Sequence, residues 1–435
     1  MRSSGRTING LLLSLSLLTV LTSCTHKGER KPASQAQQQE NDEVQLGFFG
    51  QDDRLQAIQK AQLIQRRPMG SINIVKGPEQ KAGKKNVLRF NDRVTCQFTK
   101  PGSEMGGATP KYKCVITKIE RDGKAVTVLP NDEVKVKFGK DNLEIYAEPA
   151  ATRLFWAMGF FADTVIPVTV ICENCPKDPA KDKDPAVGQT RAEEIALIER
   201  KFSGETMEQF NMEDQGWTWR EFGLNTKNAA ATKDALSLLA AFVGHGDNKP
   251  PQQRLVCSKN KIKVDATNKK TTCADPKMFI QDLGSTLGGA GKFTTETAKM
   301  NLKHWANKPD HTIWKDSAKC EARLSKSMSA KDGIGDPVIS EEGRRYLGAL
   351  LCQLSTQQIH DLFKVARVEQ MPVSDEGTAF ATNSIDNWVR VFKEKREQIV
   401  DRPECTWNKK PKTAKPFDAK TCQELVARTH GVNAP

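Results

Sequence analysis

Several residue types and motifs that mark common enzyme classes are scarce in this sequence of 435 residues. It has six histidines and no cluster of them, which argues against a zinc enzyme. Aromatic residues make up 6%, and no basic helix is interleaved with them, which disfavours nucleic-acid binding. The formal net charge of +13 instead favours anionic surfaces or phosphorylated ligands. We find no G-x-S-x-G motif and no convincing pair of glycosidase carboxylates, so hydrolysis of the cell wall has weak support.

A short apolar run stands at the N-terminus, and its length excludes a membrane span. Arg2 and Arg6 precede Leu11 to Leu21, a run of signal-peptide length. It ends in Leu21-Thr22-Ser23-Cys24, which resembles a bacterial lipobox. We therefore expect residues 1–23 to be a lipoprotein signal peptide and acyl chains such as palmitate on Cys24 to anchor the protein in a membrane of the bacterial cell envelope. The alternative is an ordinary cleavable signal with a chance cysteine.

Removing Cys24 leaves ten of the 11 cysteines, an even number in a chain that we expect to be exported. Such a count predicts disulfides. The sequence does not fix the connectivity, and the simplest choice pairs neighbours along the chain: Cys96/Cys114, Cys172/Cys175, Cys257/Cys273, Cys320/Cys352 and Cys405/Cys422. The Cys172-Glu173-Asn174-Cys175 string also has a redox or zinc interpretation. We favour a structural disulfide, because no partner CxxC or histidine cluster accompanies it.

The distribution of polar and apolar residues predicts an α+β protein with a β-rich part before a helical part. Residues 24–43 are polar and predict a disordered tether. Residues 44–176 predict a β-rich region with a preceding helix over 52–66, and 177–190 form a polar loop. Residues 191–402 predict a helical region, and 403–435 a disulfide-closed tail. The expected strands are 87–90, 94–98, 112–116, 125–128, 134–138 and 164–172, and the segments with helical spacing are 191–202, 228–243, 294–306, 340–354, 356–366 and 382–400.

Two short motifs indicate the chemistry. His245-Gly246-Asp247-Asn248-Lys249 follows a strongly apolar helix pattern and predicts a loop that offers Asp247 as a base to a hydroxyl group. Phe279-Ile280-Gln281-Asp282-Leu283-Gly284 predicts a strand end that offers Asp282 to a metal ion. Phosphoryl transfer needs such a pair of carboxylates. Either motif alone is also compatible with a simple turn, because Gly, Asp and Asn favour turns.

A lysine-bearing strand over 134–138 and a glutamate-bearing helix from Glu148 precede these motifs in the order found in protein kinases. The sequence thus resembles the protein-kinase-like fold, in its divergent HipA-type, phosphoinositide-kinase-like and secretory-kinase branches, from about Cys96 to about Leu287. The resemblance implies two lobes, a small β-rich N-lobe and a larger helical C-lobe. It also implies a nucleotide, ATP, with Mg²⁺ or Mn²⁺, and a hydroxyl acceptor on a protein or a small molecule.

The resemblance also assigns residues of the β-rich region to nucleotide binding. Lys137, or Lys135 on the same face of the strand, would contact the phosphates. Glu148 would form an ion pair with that lysine, and the alternative is a contact of its carboxylate with the N-terminal dipole of its own helix. Gly106 and Gly107 lie in a hairpin that resembles a phosphate-covering loop without matching G-x-G-x-x-G, so a plain turn is the alternative.

In the helical region the resemblance assigns the residues of the reaction itself. Asp247 would be the catalytic base, Lys249 would stabilise the transferred phosphate, and Asp282 would bind the metal ion. Gln252 stands where kinases have a metal-binding asparagine, and its side chain is one methylene longer. This departure leaves a second interpretation open, a catalytically inactive pseudokinase-like lipoprotein that acts as a binding module at the cell envelope.

Replacing Cys24 by alanine should release the protein from the membrane, because the thiol of Cys24 would carry the lipid. Cell fractionation and the mass of the processed chain test this expectation. Ser23→Ala is the control, since it keeps a small residue before the cysteine and should leave the protein in the membrane fraction. A Cys24→Ala protein that is processed identically and stays equally membrane-bound would contradict the lipid anchor.

Overall fold

The computed structural model describes most of the chain beyond residue 50. The described residues are 51–80, 83, 85–102, 105, 109–207, 216–265, 267, 270–288, 299–306, 312–324, 333–372, 383–401, 405 and 422–424. The expected signal peptide, the tether and Cys24 lie outside these residues, as do Gly106 and Gly107 of the expected phosphate-covering loop.

Six strands in the first half of the described chain form one sheet. They are β1 Arg93–Thr99, β2 Lys111–Arg121, β3 Lys124–Val126, β4 Glu133–Phe138, β5 Thr164–Glu173 and β6 Thr190–Arg200. The order is β1-β5-β6-β4-β2-β3, and β1 also pairs with β2. This additional pairing closes β1, β5, β6, β4 and β2 into a five-stranded barrel. The β1–β5 pair is parallel, and the other pairs are antiparallel.

Alternation along the strands gives the barrel its own core. Tyr112, Cys114 and Ile116 of β2 and Val134 and Val136 of β4 are buried. They belong to one apolar cluster with residues of the other barrel strands. Because successive side chains of a strand point to opposite faces, the lysines between these residues lie on the outer surface of the barrel. The outer face of β2 and β4 therefore carries several positive charges.

A long helix, α2 Glu144–Ala157, packs against this barrel and is almost entirely buried. The sequence predicts that Glu148-Pro149 opens this helix, and this prediction is wrong. The helix begins one turn earlier, at Glu144, and Pro149 lies inside it. Proline lacks an N–H donor and is disfavoured inside a helix. Here the burial of nearly every residue of α2 outweighs that local cost.

The rest of the described chain is mainly helical. Its helices, together with the preceding α1, are α1 Gln51–Lys60, α3 Trp219–Gly223, α4 Ala230–Val243, α5 Leu302–Trp305, α6 Glu341–Cys352, α7 Thr356–Val365 and α8 Ile385–Val400. The short strands are β7 Glu205–Thr206, β8 Gln253–Cys257, β9 Ile262–Asp265, β10 Lys270–Cys273, β11 Lys277–Ile280, β12 Trp314–Asp316 and β13 Glu321–Ala322. Strands β11, β8 and β7 form a three-stranded sheet, while β9/β10 and β12/β13 form two separate pairs. No helix in the described ranges has the length and apolar character needed to cross a membrane.

Aromatic side chains dominate the core of the helical part. Trp305 and Trp388 stack with ring centroids 5.7 Å apart. Phe242, Phe363 and Phe392 surround Trp305 from helices α4, α7 and α8. Aromatic residues are scarce in this chain, and their concentration here packs α4, α7 and α8 around Trp305.

Several expected elements and one expected boundary are wrong. The expected helix over 52–66 ends at Lys60. Residues 191–202 were expected to be helical, but 190–200 form β6, which pairs with β4 and β5 inside the barrel. The second half of β6 is buried on both faces, and its short apolar run, Ile195-Ala196-Leu197-Ile198, has no strand-like alternation. The polar loop over 177–190 therefore connects two strands of the barrel instead of ending the β-rich part. The expected strand over 87–90 is also absent, although Leu88 is buried in the barrel core.

All ten cysteines expected to be oxidised form disulfides, and three pairings are as predicted. These are Cys96–Cys114, Cys172–Cys175 and Cys257–Cys273. The other two predicted pairings are wrong, because the bonds are Cys320–Cys405 and Cys352–Cys422. Pairing of neighbours along the chain fails here because Cys405 and Cys422, which follow α8, return to earlier parts of the helical region. The C-terminal segment is thus tied down at two separate points.

The Cys320–Cys405 bond should stabilise the fold more than the Cys172–Cys175 bond. A link across a longer loop removes more entropy from the unfolded chain, and the two sequence separations are 85 and 3. Paired alanine substitutions should lower the free energy of unfolding by about 4–5 kcal/mol for the first bond and about 2 kcal/mol for the second. Urea unfolding of the two double variants tests the order, and a reversed order would contradict it. A peptide that links Cys320 to Cys352 in a non-reducing digest would contradict the pairing itself.

Candidate functional site

A buried ion pair joins the barrel to α2. Lys137 lies on the outer face of β4, and its Nζ atom is 2.8 Å from Oε2 of Glu148 in α2. The side chains are 3% and 1% exposed. Val136 points into the barrel, so the alternation of β4 directs Lys137 outward, towards the helix. The structure thus brings together the two residues that the sequence predicts to form an ion pair.

Two further carboxylates lie close to the Lys137 ammonium group. Oε2 of Glu199 on β6 is 3.8 Å from Nζ, and Oδ1 of Asp282 is 3.9 Å from it. Burial acts to lower the pKa of Lys137, but Glu148, Asp282 and Glu199 together raise it well above its ordinary value. Lys137 is therefore a permanent positive charge. Lys135, the other predicted phosphate lysine, instead forms an ion pair with Glu199, which lies directly opposite it on β6.

Asp282 is ionised and partly accessible. Asp282 lies two residues after the end of β11, and its side chain is 32% exposed. Burial acts to raise the pKa of Asp282, but the Lys137 charge and the backbone N–H of Gly284, which donates to Oδ1 at 3.0 Å, hold the pKa below its ordinary value. A carboxylate in this state can bind a cation, because its charge is fixed and its oxygens are not fully enclosed.

The Asp247 loop begins where α4 ends at Gly244, which has φ of 61° in the left-handed region that glycine tolerates best. The backbone N–H of Gly246 then donates to the carbonyl of Ser285 at 3.0 Å. The Asp247 carboxylate forms an ion pair with Lys249 at 2.9 Å. The loop is therefore fixed against the chain segment that follows Asp282.

Gln252 connects the two predicted acidic residues directly. Its side-chain amide donates to Oδ2 of Asp247 at 2.7 Å. Its backbone carbonyl accepts hydrogen bonds from the N–H groups of Gln281 at 2.7 Å and Asp282 at 3.4 Å. The same residue thus holds both Asp247 and Asp282. The amide nitrogen of Gln252 is thus taken by Asp247, and the amide oxygen is the atom of this side chain that suits a metal ion.

His245 is a buried neutral side chain near both acidic residues. It is fully buried, and neither ring nitrogen has a hydrogen-bond partner among the described residues. Burial lowers the pKa of His245 to about 4, against the opposing charges of Asp247 and Asp282. The imidazole is therefore neutral at pH 7 and adds no charge to the site.

The start of α2 reaches the Asp282 strand end through a close contact. A Cβ atom on Gly284 would lie 3.1 Å from the Glu144 side chain, so a larger residue would force this contact to shift. The Glu144 carboxylate also accepts a hydrogen bond from the hydroxyl of Thr109, at the end of the expected phosphate-covering loop. Three chain segments therefore meet at Glu144.

Most of the predicted site residues converge on one place. Lys137 contacts Glu148 and Asp282, and Gln252 links Asp282 to Asp247, which binds Lys249. The roles assigned to them stay predictions. The sequence reasoning missed Glu199, Glu144 and Thr109, which contact these residues from other elements. The position of Glu199 beside the lysines depends on the pairing of β4 with β6. In the sequence, the alternation of charged residues along the strands is the only signal that could have indicated it.

The donor atoms available at the site suit a hard divalent cation. The Asp282 carboxylate and the Gln252 amide offer oxygen atoms, which Mg²⁺ and Mn²⁺ prefer. A different group, Cys257, Cys273 and Asp275, also has metal-like spacing. Its two sulfur atoms are joined in a disulfide and cannot act as thiolate ligands. The residues around Asp282 therefore fit a metal ion better.

No protein-family model and no curated protein match this sequence. Among solved structures, the chain is similar to the Helicobacter pylori proinflammatory kinase CtkA, with 10% sequence identity and a TM-score of 0.36 over 70% of this chain and 96% of that one. It is also similar to a toxin–antitoxin structure from Shewanella oneidensis MR-1 that contains HipA, HipB and operator DNA. There the identity is 11% and the TM-score 0.30, over 68% of this chain and 66% of the matched chain. These are distant likenesses to kinase-like proteins.

Proposed function

We propose that this protein is a kinase-like phosphotransferase that binds a nucleotide, ATP, with Mg²⁺ or Mn²⁺ and transfers a phosphoryl group to a hydroxyl. The observation that carries the proposal is the link through Gln252, which hydrogen-bonds the Asp247 carboxylate with its side chain and the Asp282 backbone N–H with its carbonyl, while the Asp282 carboxylate faces the buried Lys137–Glu148 pair. Phosphoryl transfer depends mainly on positioning and on charge stabilisation, and these residues supply both.

Each residue has a role that follows from its surroundings. Lys137, held by Glu148, would bind the phosphates as a fixed positive charge. Asp282 and the amide oxygen of Gln252 would hold the metal ion, which neutralises phosphate charge when it is bound. Asp247 would accept the proton of the acceptor hydroxyl, and Lys249 beside it would stabilise negative charge on the transferred group.

A binding module without catalysis is the second candidate function. Both oxygens of the Asp247 carboxylate are engaged, one by Lys249 and one by Gln252. Each oxygen can still accept a further hydrogen bond, but these two contacts compete with the acceptor hydroxyl for the carboxylate. This observation favours a pseudokinase-like protein, in which the same cleft binds a nucleotide and the chemistry does not follow.

We place this function in the bacterial cell envelope, on the periplasmic side or at the cell surface, with a lipid on Cys24 as the membrane anchor. The five disulfides support an oxidising compartment. The partners in this proposal are the membrane and a hydroxyl-bearing protein or small molecule, without nucleic acid. ATP is scarce outside the cytoplasm, so a test in cells must also show that ATP reaches the protein.

Mg²⁺-ATP should stabilise the mature protein against unfolding, and Asp282→Asn should remove most of that effect. Ligand at about 100 times its dissociation constant adds roughly 2.7 kcal/mol to the free energy of unfolding. The substitution removes a negative charge that the metal ion requires. Asp275→Asn is the matched control, because Asp275 binds Lys277 and Ser258 away from the site and should keep the full effect. Thermal unfolding with and without ligand measures all three proteins.

Asp247→Asn should keep nucleotide binding but lower the rate of transfer by about 100-fold or more, because the hydroxyl loses its base. Formation of ADP together with incorporation of the labelled γ-phosphate of ATP into candidate acceptors measures that rate. If the wild-type protein binds Mg²⁺-ATP without any transfer, the binding module is the better interpretation. Absence of stabilisation by any nucleotide with Mg²⁺ or Mn²⁺, or stabilisation that survives Asp282→Asn, would contradict the proposed site.

A further inference from the structure

The strand pair β9/β10 forms a two-stranded sheet of its own and is rich in lysine. Between residues 259 and 270 the sequence has one acidic residue, Asp265. The same stretch has five lysines, Lys259, Lys261, Lys263, Lys269 and Lys270. Lys269 lies outside the described residues, and the other four are exposed. We call residues 259–270 the basic hairpin.

Two lysines of the basic hairpin are used within the fold. Lys259 forms an ion pair with Glu205 at 2.6 Å, and Lys270 lies 3.9 Å from the Asp53 carboxylate. Asp265, the acidic residue of the hairpin, lies opposite Lys270 in the β9–β10 pair. The positive charges of these two lysines are therefore balanced by neighbouring acidic residues, and the charge available to a partner has to come from the rest of the hairpin.

Lys261 and Lys263 supply that charge. Both are exposed, and within the described ranges neither has an ion pair or a side-chain hydrogen bond. Ile262, between them, packs against the apolar core. Because successive side chains of a strand point to opposite faces, Lys263 points away from the core. Two positive charges without a partner in the described chain thus lie where a large anionic surface can reach them.

The basic hairpin lies at the end of the three-stranded sheet that is remote from the candidate site. Strand β8 begins directly after Gln252 and runs to Cys257, at the base of the hairpin. Strand β11 runs back from Lys277 and ends two residues before Asp282. The five residues of β8 span roughly 16 Å at about 3.3 Å each. The candidate site and the basic hairpin therefore lie at opposite ends of the same strands.

The described chain also begins beside the basic hairpin. Its first helix, α1, starts at Gln51. Asp53, in the first turn of α1, accepts a hydrogen bond from the backbone N–H of Thr271 in β10 at 3.3 Å. The expected lipid on Cys24 precedes this helix in the sequence. The chain that leads from the expected anchor therefore joins the described fold next to the hairpin.

We propose that the basic hairpin docks on the anionic phospholipid surface of the membrane that holds the lipid anchor, and that it turns the candidate site away from that membrane. This inference rests on the membrane attachment in the proposed function and extends it. Two lysines attract such a surface weakly, but the anchor makes their contact intramolecular and so raises the effective concentration. The lipid thus sets the attachment, and the hairpin sets the orientation.

Lys261→Glu/Lys263→Glu should weaken binding to anionic vesicles by about 25-fold or more, because each lysine near an anionic membrane contributes about fivefold. The mature chain with Cys24→Ser is used for this comparison, so that no lipid contributes. Flotation with vesicles of equal parts phosphatidylglycerol and phosphatidylcholine, at an ionic strength of about 0.1 M, measures the binding. Vesicles of phosphatidylcholine alone should bind neither protein.

Lys85→Glu/Lys124→Glu is the matched control. Both lysines are exposed residues of the barrel region, likewise without an ion pair in the described part of the chain. The control changes the net charge equally and should weaken vesicle binding less than about threefold, because salt at this concentration screens charges more than about 10 Å from the surface. The melting temperature and its shift with Mg²⁺-ATP show whether each variant is folded and whether the candidate site is intact.

Lysine labelling of the lipidated protein tests the orientation. A water-soluble amine-reactive reagent should modify Lys261 and Lys263 more slowly on the anionic vesicles than in detergent, because the membrane covers them. Lys124 should react equally in both. Mass spectrometry of the digested protein measures the labelling at each lysine.

The outcomes separate this inference from the proposed function. Equal loss of vesicle binding in the two double variants, or no vesicle binding by the Cys24→Ser protein, would overturn the hairpin as a membrane surface. Unchanged labelling of Lys261 and Lys263 on vesicles would overturn the orientation. A cross-linker that joins the basic hairpins of two copies would assign this surface to self-association and overturn the proposal. The nucleotide function is judged separately, by the shift in melting temperature with Mg²⁺-ATP.

Discussion

The arrangement of the candidate site depends on the buried ion pair between Lys137 and Glu148. Taking two charges out of water is costly, and removing one partner of such a pair leaves an uncompensated charge that typically costs about 3–5 kcal/mol. The pair therefore holds α2 against β4 in one position. Because Glu144 at the start of the same helix contacts both Thr109 and Gly284, the ion pair also fixes where the loop end and the Asp282 strand end meet.

Two separate sets of contacts hold the charged groups of the site in position. On one side, closure of the barrel through the β1–β2 pairing and the Cys96–Cys114 disulfide fixes the strands that carry the lysines. On the other side, Gln252 fixes the Asp247 loop to the segment that begins with Gln281. Positive charge thus comes mainly from the barrel strands, and the carboxylates of Asp247 and Asp282 come from the helical part. Such a division suits a ligand that carries phosphates and a metal ion.

The sequence predicts the parts of this site that depend on local pattern. Lys137 and Glu148 could be chosen because a strand and a helix are recognisable from their own residues, and Asp247 and Asp282 because each ends a recognisable element. What the sequence does not predict depends on distant pairing. Strand β6 has a buried apolar run that resembles a helix until β4 and β5 cover it, and the crossed Cys320–Cys405 and Cys352–Cys422 bonds depend on where the C-terminal segment returns.

A crystal structure of the mature protein with Mn²⁺ and a non-hydrolysable ATP analogue tests the central claim most directly, because the anomalous signal of manganese locates the metal ion independently of the protein atoms. We expect one manganese peak at ligand distance from the Asp282 carboxylate and the Gln252 amide oxygen, with the phosphates next to Lys137. A peak elsewhere, or bound nucleotide with no metal ion beside Asp282, would contradict the assignment of this cleft as a metal–nucleotide site.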